Sequence, residues 1–222
     1  MKEKVLLTWS GGKDSALALH EIQNYDEFEV EALLTTITAE YDRISLHGIR
    51  RALLEKQANS QGHKLEEVFI PKNCSDEEYE AKMQMTLQKY RDKGISKVVF
   101  GDIFLEDVKK YRENNLAKLH MNGIFPLWKQ NTSMLANKFI ELGFKAVVTC
   151  VDGKVLDKSF AGRNFDKQFL TDLPPNIDPC GENGEFHSFV YNGPSFEKQI
   201  SFTLGDVILR NKQFYYCDLI PN

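Results

Sequence analysis

The chain has 222 residues, 42% hydrophobic and 27% charged, which suits one domain with an appendage or two small ones and excludes wholesale disorder. Lys and Arg number 28 against 32 Asp and Glu, a net charge of -4 that argues against a strongly basic nucleic-acid binder. No apolar run approaches the roughly 20 residues that span a bilayer, and the one after Met1-Lys2-Glu3-Lys4 is too short for a secretory signal, so the chain reads as soluble, cytoplasmic and free of membrane contact. Cys74, Cys150, Cys180 and Cys217 lie far apart with no C-x-x-C, indicating neither a disulfide framework nor a zinc finger.

Lys4 to Trp9 is a short apolar run, read as a buried strand. Ser10-Gly11-Gly12 breaks it, and Lys13 to Tyr25 then carries apolar residues at helical spacing. The alternation continues with strands at Glu29 to Thr38, Lys64 to Ile70, Lys97 to Phe100, Ile124 to Leu127 and Lys145 to Val151. Between them the pattern predicts helices over His47 to Gln61, from the capping box at Ser75 to Asp92, over Leu105 to Asn122, and over Asn131 to Leu142. Such alternation predicts an α/β fold, a Rossmann-like parallel sheet with helices on both faces. Ligands in these folds sit at the carboxyl ends of the strands, which singles out Ser10 to Ser15, Thr36 to Tyr41 and Gly101 to Glu106. After residue 152 prolines and glycines accumulate and helical periodicity weakens. Phe186 to Tyr191, Gln199 to Leu209 and Gln213 to Leu219 read as strands, the last two forming a hairpin. The division expected is a nucleotide-binding domain over 1–152 and a smaller, loop-rich substrate-binding lobe over 153–222.

Ser10-Gly11-Gly12-Lys13-Asp14-Ser15 sits at the first strand-to-helix turn. Two glycines let backbone N–H groups approach a ligand, and the following helix presents its positive end there. Ser10 and Ser15 add hydroxyls and Lys13 a cation, a set suited to a pyrophosphate. The spacing is neither the Walker G-x-x-x-x-G-K-[ST] nor the dinucleotide fingerprint G-x-G-x-x-G. Asp14 is the odd member, because a carboxylate beside phosphates needs Mg²⁺ between them to avoid repulsion.

S-G-G-K-D-S resembles the signature of the PP-loop ATP pyrophosphatases, which cleave ATP between its α- and β-phosphates. His47-Gly48-Ile49-Arg50, Gly101-Asp102-Ile103, Leu156-Asp157, Gly162-Arg163 and Cys180-Gly181-Glu182-Asn183-Gly184-Glu185-Phe186-His187-Ser188 follow in order. Together they resemble the diphthine–ammonia ligase family (diphthamide synthase, ATP-binding) over nearly the whole chain. The region Gly101 to Val108, where that family's archaeal and eukaryotic members have a small residue after the glycine and then tyrosine and glutamine, departs from their pattern, as do Asn183 and His187, and these differences look like a bacterial-type branch. The resemblance implies an ATP- and Mg²⁺-dependent amide ligase. It adenylates a carboxylate, diphthine on elongation factor 2 in that family, and releases AMP when ammonia attacks. It implies that Ser10, Gly11, Gly12, Lys13, Asp14 and Ser15 bind the triphosphate, with Asp14 on the metal. Thr36, Gly101 and Asp102 join the nucleotide set, Asp102 as a candidate for ribose hydroxyls or magnesium. Glu182 and Glu185, three apart in a glycine-bracketed loop, join Lys13 and Asp14 as the catalytic set, able to bind magnesium, orient ammonium or act as a general base.

His47 and Arg50 are three apart, which places them on one face of a helix's first turn, able to meet an anionic substrate. Arg163 suits a carboxylate or phosphate, and Glu106 completes the substrate-binding candidates. Cys180 and His187 are a weak metal pair. Two other functions compete with the ligase. One is tRNA thiolation or another PP-loop modification, which needs a reactive thiol such as Cys150 or Cys180 and a basic face that the charge balance argues against. The other is a nucleotide-binding module without turnover. A homo-oligomeric state is left open.

Overall fold

The computed structural model describes residues 2–45 and 47–222. In chain order the elements are β1 (Glu3–Thr8), α1 (Lys13–Gln23), β2 (Phe28–Thr38), β3 (Arg43–Ile44), α2 (Arg51–Ser60), β4 (Leu65–Ile70), α3 (Asp76–Arg91), β5 (Lys97–Val99), α4 (Glu106–Ala117), β6 (Asn122–Ile124), α5 (Thr132–Glu141), β7 (Lys145–Asp152), a 3-10 turn (Lys158–Phe160), α6 (Lys167–Asp172), β8 (Phe186–Asn192), β9 (Phe202–Arg210) and β10 (Phe214–Pro221). β4, β2, β1, β5 and β6 form a parallel sheet in that order, and β3 adds two antiparallel residues to the end of β2. The chain runs outward from β1 on one side and returns to its other side at β5, so the topological switch point lies between β1 and β5.

Both faces of this sheet are covered, and β1 shows it residue by residue. Val5 and Leu7 enter one apolar cluster with Leu17, Ile22, Leu53 and Phe139, whereas Leu6 enters a second with Val98, Leu87, Tyr90 and Leu116. Alternate residues of one strand therefore face α1 and α2 on one side and α3 and α4 on the other. The Ser75 hydroxyl caps α3 by accepting the Glu78 N–H at 3.2 Å, as its capping box predicts. No helix among the described residues is long and apolar enough to cross a membrane.

Four sequence expectations need correction. β7 is not a sixth strand of the parallel sheet. It pairs antiparallel with β8 and β10, and with β9 these form a second sheet in the order β8-β7-β10-β9. A run of mostly apolar residues does not reveal which sheet will bury it. The helix predicted over Leu105 to Asn122 stops at Ala117, His120 turns with φ 53°, and Gly123 belongs to β6 rather than capping a helix. Its predicted strand partner over 124–127 is correspondingly a turn beyond Ile124. α2 starts at Arg51, not His47: Gly48 has φ 71° and Arg50 is extended, so His47 and Arg50 do not share a helix face.

The two sheets are tied by a charged clamp. Asp218 on β10 accepts from Arg43 at 2.8 Å and from Arg50 at 2.7 and 3.2 Å. Burial alone would push this carboxyl up, but the hydrogen bonds from Arg50 and Arg43 hold it well below the usual carboxylate range. The clamp's contribution is complete above the ordinary aspartate pKa of about 4 and is lost as pH falls toward the lowered value. Asp218→Asn is expected to cost about 1–2 kcal/mol at pH 7. Denaturant titrations should show the gap between variant and parent closing as the pH is taken below about 4.

Candidate active site

The strand-to-helix turn after β1 is locked from behind. Gly11 adopts φ 74°, and a Cβ there would lie 2.7 Å from Leu54 and 2.8 Å from the Gln57 amide oxygen, so only glycine fits. The Gly11 carbonyl accepts from the Val190 N–H at 2.9 Å and from Gln57 Nε2 at 2.9 Å. Gln57 is fully buried on α2; it also accepts from Trp9 Nε1 at 3.0 Å and donates to the Val190 carbonyl. One amide thus joins the end of β1, the glycine turn and β8. Ser10 Oγ accepts the Gly12 N–H at 3.2 Å, Ser15 donates to the Gly12 carbonyl at 2.9 Å, and the two hydroxyls lie 3.2 Å apart.

Lys13 is buried, its ammonium 2.9 Å from the Asp14 carboxylate and 5.3 Å from the centroid of the Phe186 ring. Burial pulls its pKa down, but Asp14, Cys180 and Glu182 outweigh this and hold it above the usual value, so it is a permanent cation. Asp14 is pushed up by burial, with Lys13 opposing and Asp178 and Asp102 adding to the rise. Gly101, at the exit of β5, closes on the first turn of α1, where a Cβ would lie 3.0 Å from the Asp14 carbonyl.

These parts wall a cavity of about 410 Å³ at the switch point, a size suited to a small-molecule ligand. Of the predicted residues, Ser10, Gly12, Lys13, Asp14, Ser15, Thr36, His47, Gly101, Asp102 and Glu182 line it. Gly11 packs behind the turn. Three side-chain polar atoms among the described residues are buried without a partner, and two of them, Thr35 Oγ1 and His47 Nδ1, belong to residues lining this cavity. Buried polar atoms are almost always paired, so these two point to a ligand that completes them.

Glu182 arrives from the late loop and accepts the Ile103 N–H at 2.7 Å. Burial raises its carboxyl to about 7, against the lowering effect of the Ile103 N–H. Glu185 does not line the cavity. It is buried and holds the loop by accepting from the backbone N–H groups of Asp178 and Asn183 and from the Asn183 amide. Asp102 lines the cavity but is gripped in bidentate fashion by Arg112 at 2.6 and 3.0 Å. Arg50 is engaged by Asp218, Arg163 by Asp172 at 2.6 Å, and Glu106 by Lys129 at 3.0 Å; none of the three lines the cavity.

Sequence reasoning missed Thr35, Arg112, Ser188 and the structural role of Gln57. Ser188 Oγ accepts the Lys13 N–H at 3.2 Å from 175 residues away, a pairing that no local pattern announces. His187 stacks on His47 with ring centroids 4.2 Å apart. Burial lowers both rings, His187 to about 4, so both are neutral at pH 7. Among the described residues no group of three or more His, Cys, Asp or Glu side chains could chelate a metal, so Cys180 and His187 form no such site. Asp14, whose side chain is 30% exposed, is the residue that would hold a Mg²⁺ ion, and the ion would supply charge neutralisation to phosphate oxygens. Cys180 is buried and donates to the Thr132 carbonyl, and burial pushes its thiol up and that of Cys150 to about 12. Neither is a ready thiolate.

Gln57→Leu would strip partners from Trp9 Nε1 and two buried carbonyls, and is expected to cost about 3 kcal/mol or more. Thermal unfolding checks the loss. Amide exchange should show the largest gain of mobility at Gly11 and Val190.

Comparisons with known proteins place the chain in a family. A family model described as the diphthamide synthase N-terminal domain matches residues 1–122, and one described as the diphthamide synthase C-terminal domain matches residues 131–217. The chain is 25% identical over 183 residues to the human protein named diphthine–ammonia ligase, covering 78% of this chain and 67% of the relative. It is 25% identical over 224 residues to the mouse protein of that name, covering 91% and 84%. To the Schizosaccharomyces pombe protein of that name it is 27% identical over 100 residues, covering 43% and 16%.

Proposed function

The chain belongs to the diphthamide synthase family, and from that premise we propose that it is an ATP-dependent ligase that adenylates a carboxylate and passes the acyl group to ammonia. The observation that carries the reading is the walled cavity itself. It is lined by a glycine turn, a permanent lysine cation, a helix N-terminus, a carboxyl of pKa about 7 and two residues with buried polar atoms that lack partners. The relatives are named diphthine–ammonia ligases. In this reading the acceptor is a diphthine-like carboxylate, such as that on modified elongation factor 2.

The first step forms a bond between a carboxylate oxygen and the α-phosphorus of ATP, and breaks the bond to the bridging oxygen, releasing pyrophosphate. Lys13 and the first turn of α1 meet the charge that develops on the phosphates. Asp14 would hold Mg²⁺, which neutralises phosphate charge when bound. The second step forms a C–N bond as ammonia attacks the acyl carbon; AMP leaves with its electron pair. The nitrogen must then shed a proton, and Glu182 is placed and poised to take it. The neutral His47–His187 pair and the residues after 152 form the acceptor side of the cavity, so that lobe is assigned to substrate binding. Sulfur transfer through Cys150 or Cys180 is disfavoured by their burial and raised pKa values.

With α-labelled ATP, Mg²⁺, ammonium and a diphthine-bearing acceptor, the expected labelled product is AMP, and Asp14→Ala should abolish it. ADP as product, or no AMP with any carboxylate acceptor despite ATP binding, would overturn the reading. Because Glu182 must be ionised to take a proton, kcat should rise with pH through about 7. Glu182→Gln should remove that limb and lower kcat by about 10² or more while leaving ATP binding intact.

A further inference from the structure

β9 is the outer strand of the second sheet, paired with β10 on one side and with no further strand among the described residues. Natural sheets blunt such edges with proline, lysine, bulges or brevity. β9 is nine residues long and contains neither proline nor lysine. Its one irregularity lies where Val207 pairs with Cys217 and Leu204 with Leu219, which leaves Gly205 and Asp206 both opposite Asp218. Beyond it Val207 to Arg210 pair in regular register with Phe214 to Cys217. This straight run is exposed and apolar: Val207, Ile208 and Leu209 are 43%, 40% and 52% exposed.

The charges that bracket the run are self-complementary. Asp206 and Arg210 are exposed, and neither takes part in an ion pair among the described residues. In an antiparallel pairing of β9 with itself, centred on Ile208, Asp206 stands opposite the partner's Arg210, Val207 opposite the partner's Leu209, and Ile208 opposite its own copy. A two-fold axis makes the Asp206–Arg210 and Val207–Leu209 contacts twice and passes between the two Ile208 residues. Opposite charges and apolar residues facing across strands stabilise, and like charges there destabilise.

We propose that β9 is a dimerisation strand, which pairs antiparallel with β9 of a second copy of this chain about Ile208 and joins two four-stranded sheets into one of eight. Eight strands is an ordinary sheet size. The seam has a consequence for the cleft. Ile208 and Arg210 line a second cavity of about 830 Å³, and Ile44 lines both that cavity and the nucleotide cavity. The partner's hairpin therefore borders the space next to the proposed active site.

Sedimentation equilibrium of the full chain tests this with a charge-exchange cycle. The parent should be dimeric at concentrations on the order of 100 µM. Asp206→Arg and Arg210→Asp should each raise the dimer dissociation constant about tenfold or more, since each puts like charges opposite one another twice. The double variant Asp206→Arg/Arg210→Asp restores opposite charges and should recover most of the loss. All four proteins should melt alike when monomeric, because neither side chain is buried. A monomeric parent, single variants that dimerise as the parent does, or a double variant no better than the singles would each overturn the proposal.

Discussion

A single buried amide sets where the glycine turn can be. The Gln57 side chain has one acceptor and two donor hydrogens. The acceptor takes Trp9 Nε1, and the donors go to the carbonyls of Gly11 and Val190. Each partner lies on a different element: the end of β1, the turn itself and β8 of the second sheet. Moving the turn would leave buried polar groups unpaired at a cost of about 1–3 kcal/mol each. Gly11 then has no room for a side chain because Leu54 and Gln57 occupy it. The geometry of the turn is thus imposed from α2, and the glycine is what permits α2 to come so close.

That fixed turn explains the electrostatics in front of it. Lys13 begins α1 buried, with its ammonium over the Phe186 ring and on Asp14, so a cation is held at a helix N-terminus where positive potential already gathers. Burial alone disfavours that cation, but Asp14 and Glu182 outweigh it, so the charge is held in place. Glu182, half-buried, sits near pKa 7, and the stacked imidazoles of His47 and His187, which line the same cavity, carry no charge at neutral pH. The cavity therefore combines a fixed cation with a carboxyl that can exchange a proton near neutrality.

The legibility of this structure in its sequence follows contact range. The glycine turn, the strand and helix flanking it and the α3 cap are local, and residues within six positions of one another declare them. The parallel sheet was legible because alternation of strand and helix admits few arrangements. The sheet to which β7 belongs was not. Lys145 to Val151 is apolar on both faces, as a buried strand of either sheet would be, and its partners lie at 186–192 and 214–216. Ser188, Arg112 and Gln57 escaped for the same reason, since their partners lie between 10 and 175 residues away. Arg50, Glu106 and Arg163 show the converse. As free cations or anions they suited a substrate, but each meets a surface partner that a linear pattern does not reveal.

The late loop illustrates how one spacing can hide two roles. Glu182 and Glu185 read alike in sequence, as paired carboxylates between glycines. The fold separates them by burial and by what they accept. Glu185 faces inward and takes N–H groups from its own loop, so its charge organises the backbone around Asp178 and Asn183. That organisation orients Glu182, whose N–H is taken by Asp178 and whose carboxylate reaches across to Ile103 at the exit of β5. The second sheet's loop is therefore anchored onto the first sheet's switch point by the same side chain that, in the proposed mechanism, receives the proton. The glycine turn is built from six contiguous residues, whereas Glu182 and His187 reach the same cavity from the late loop and the start of β8. The cavity therefore forms only when the second sheet is docked on the first.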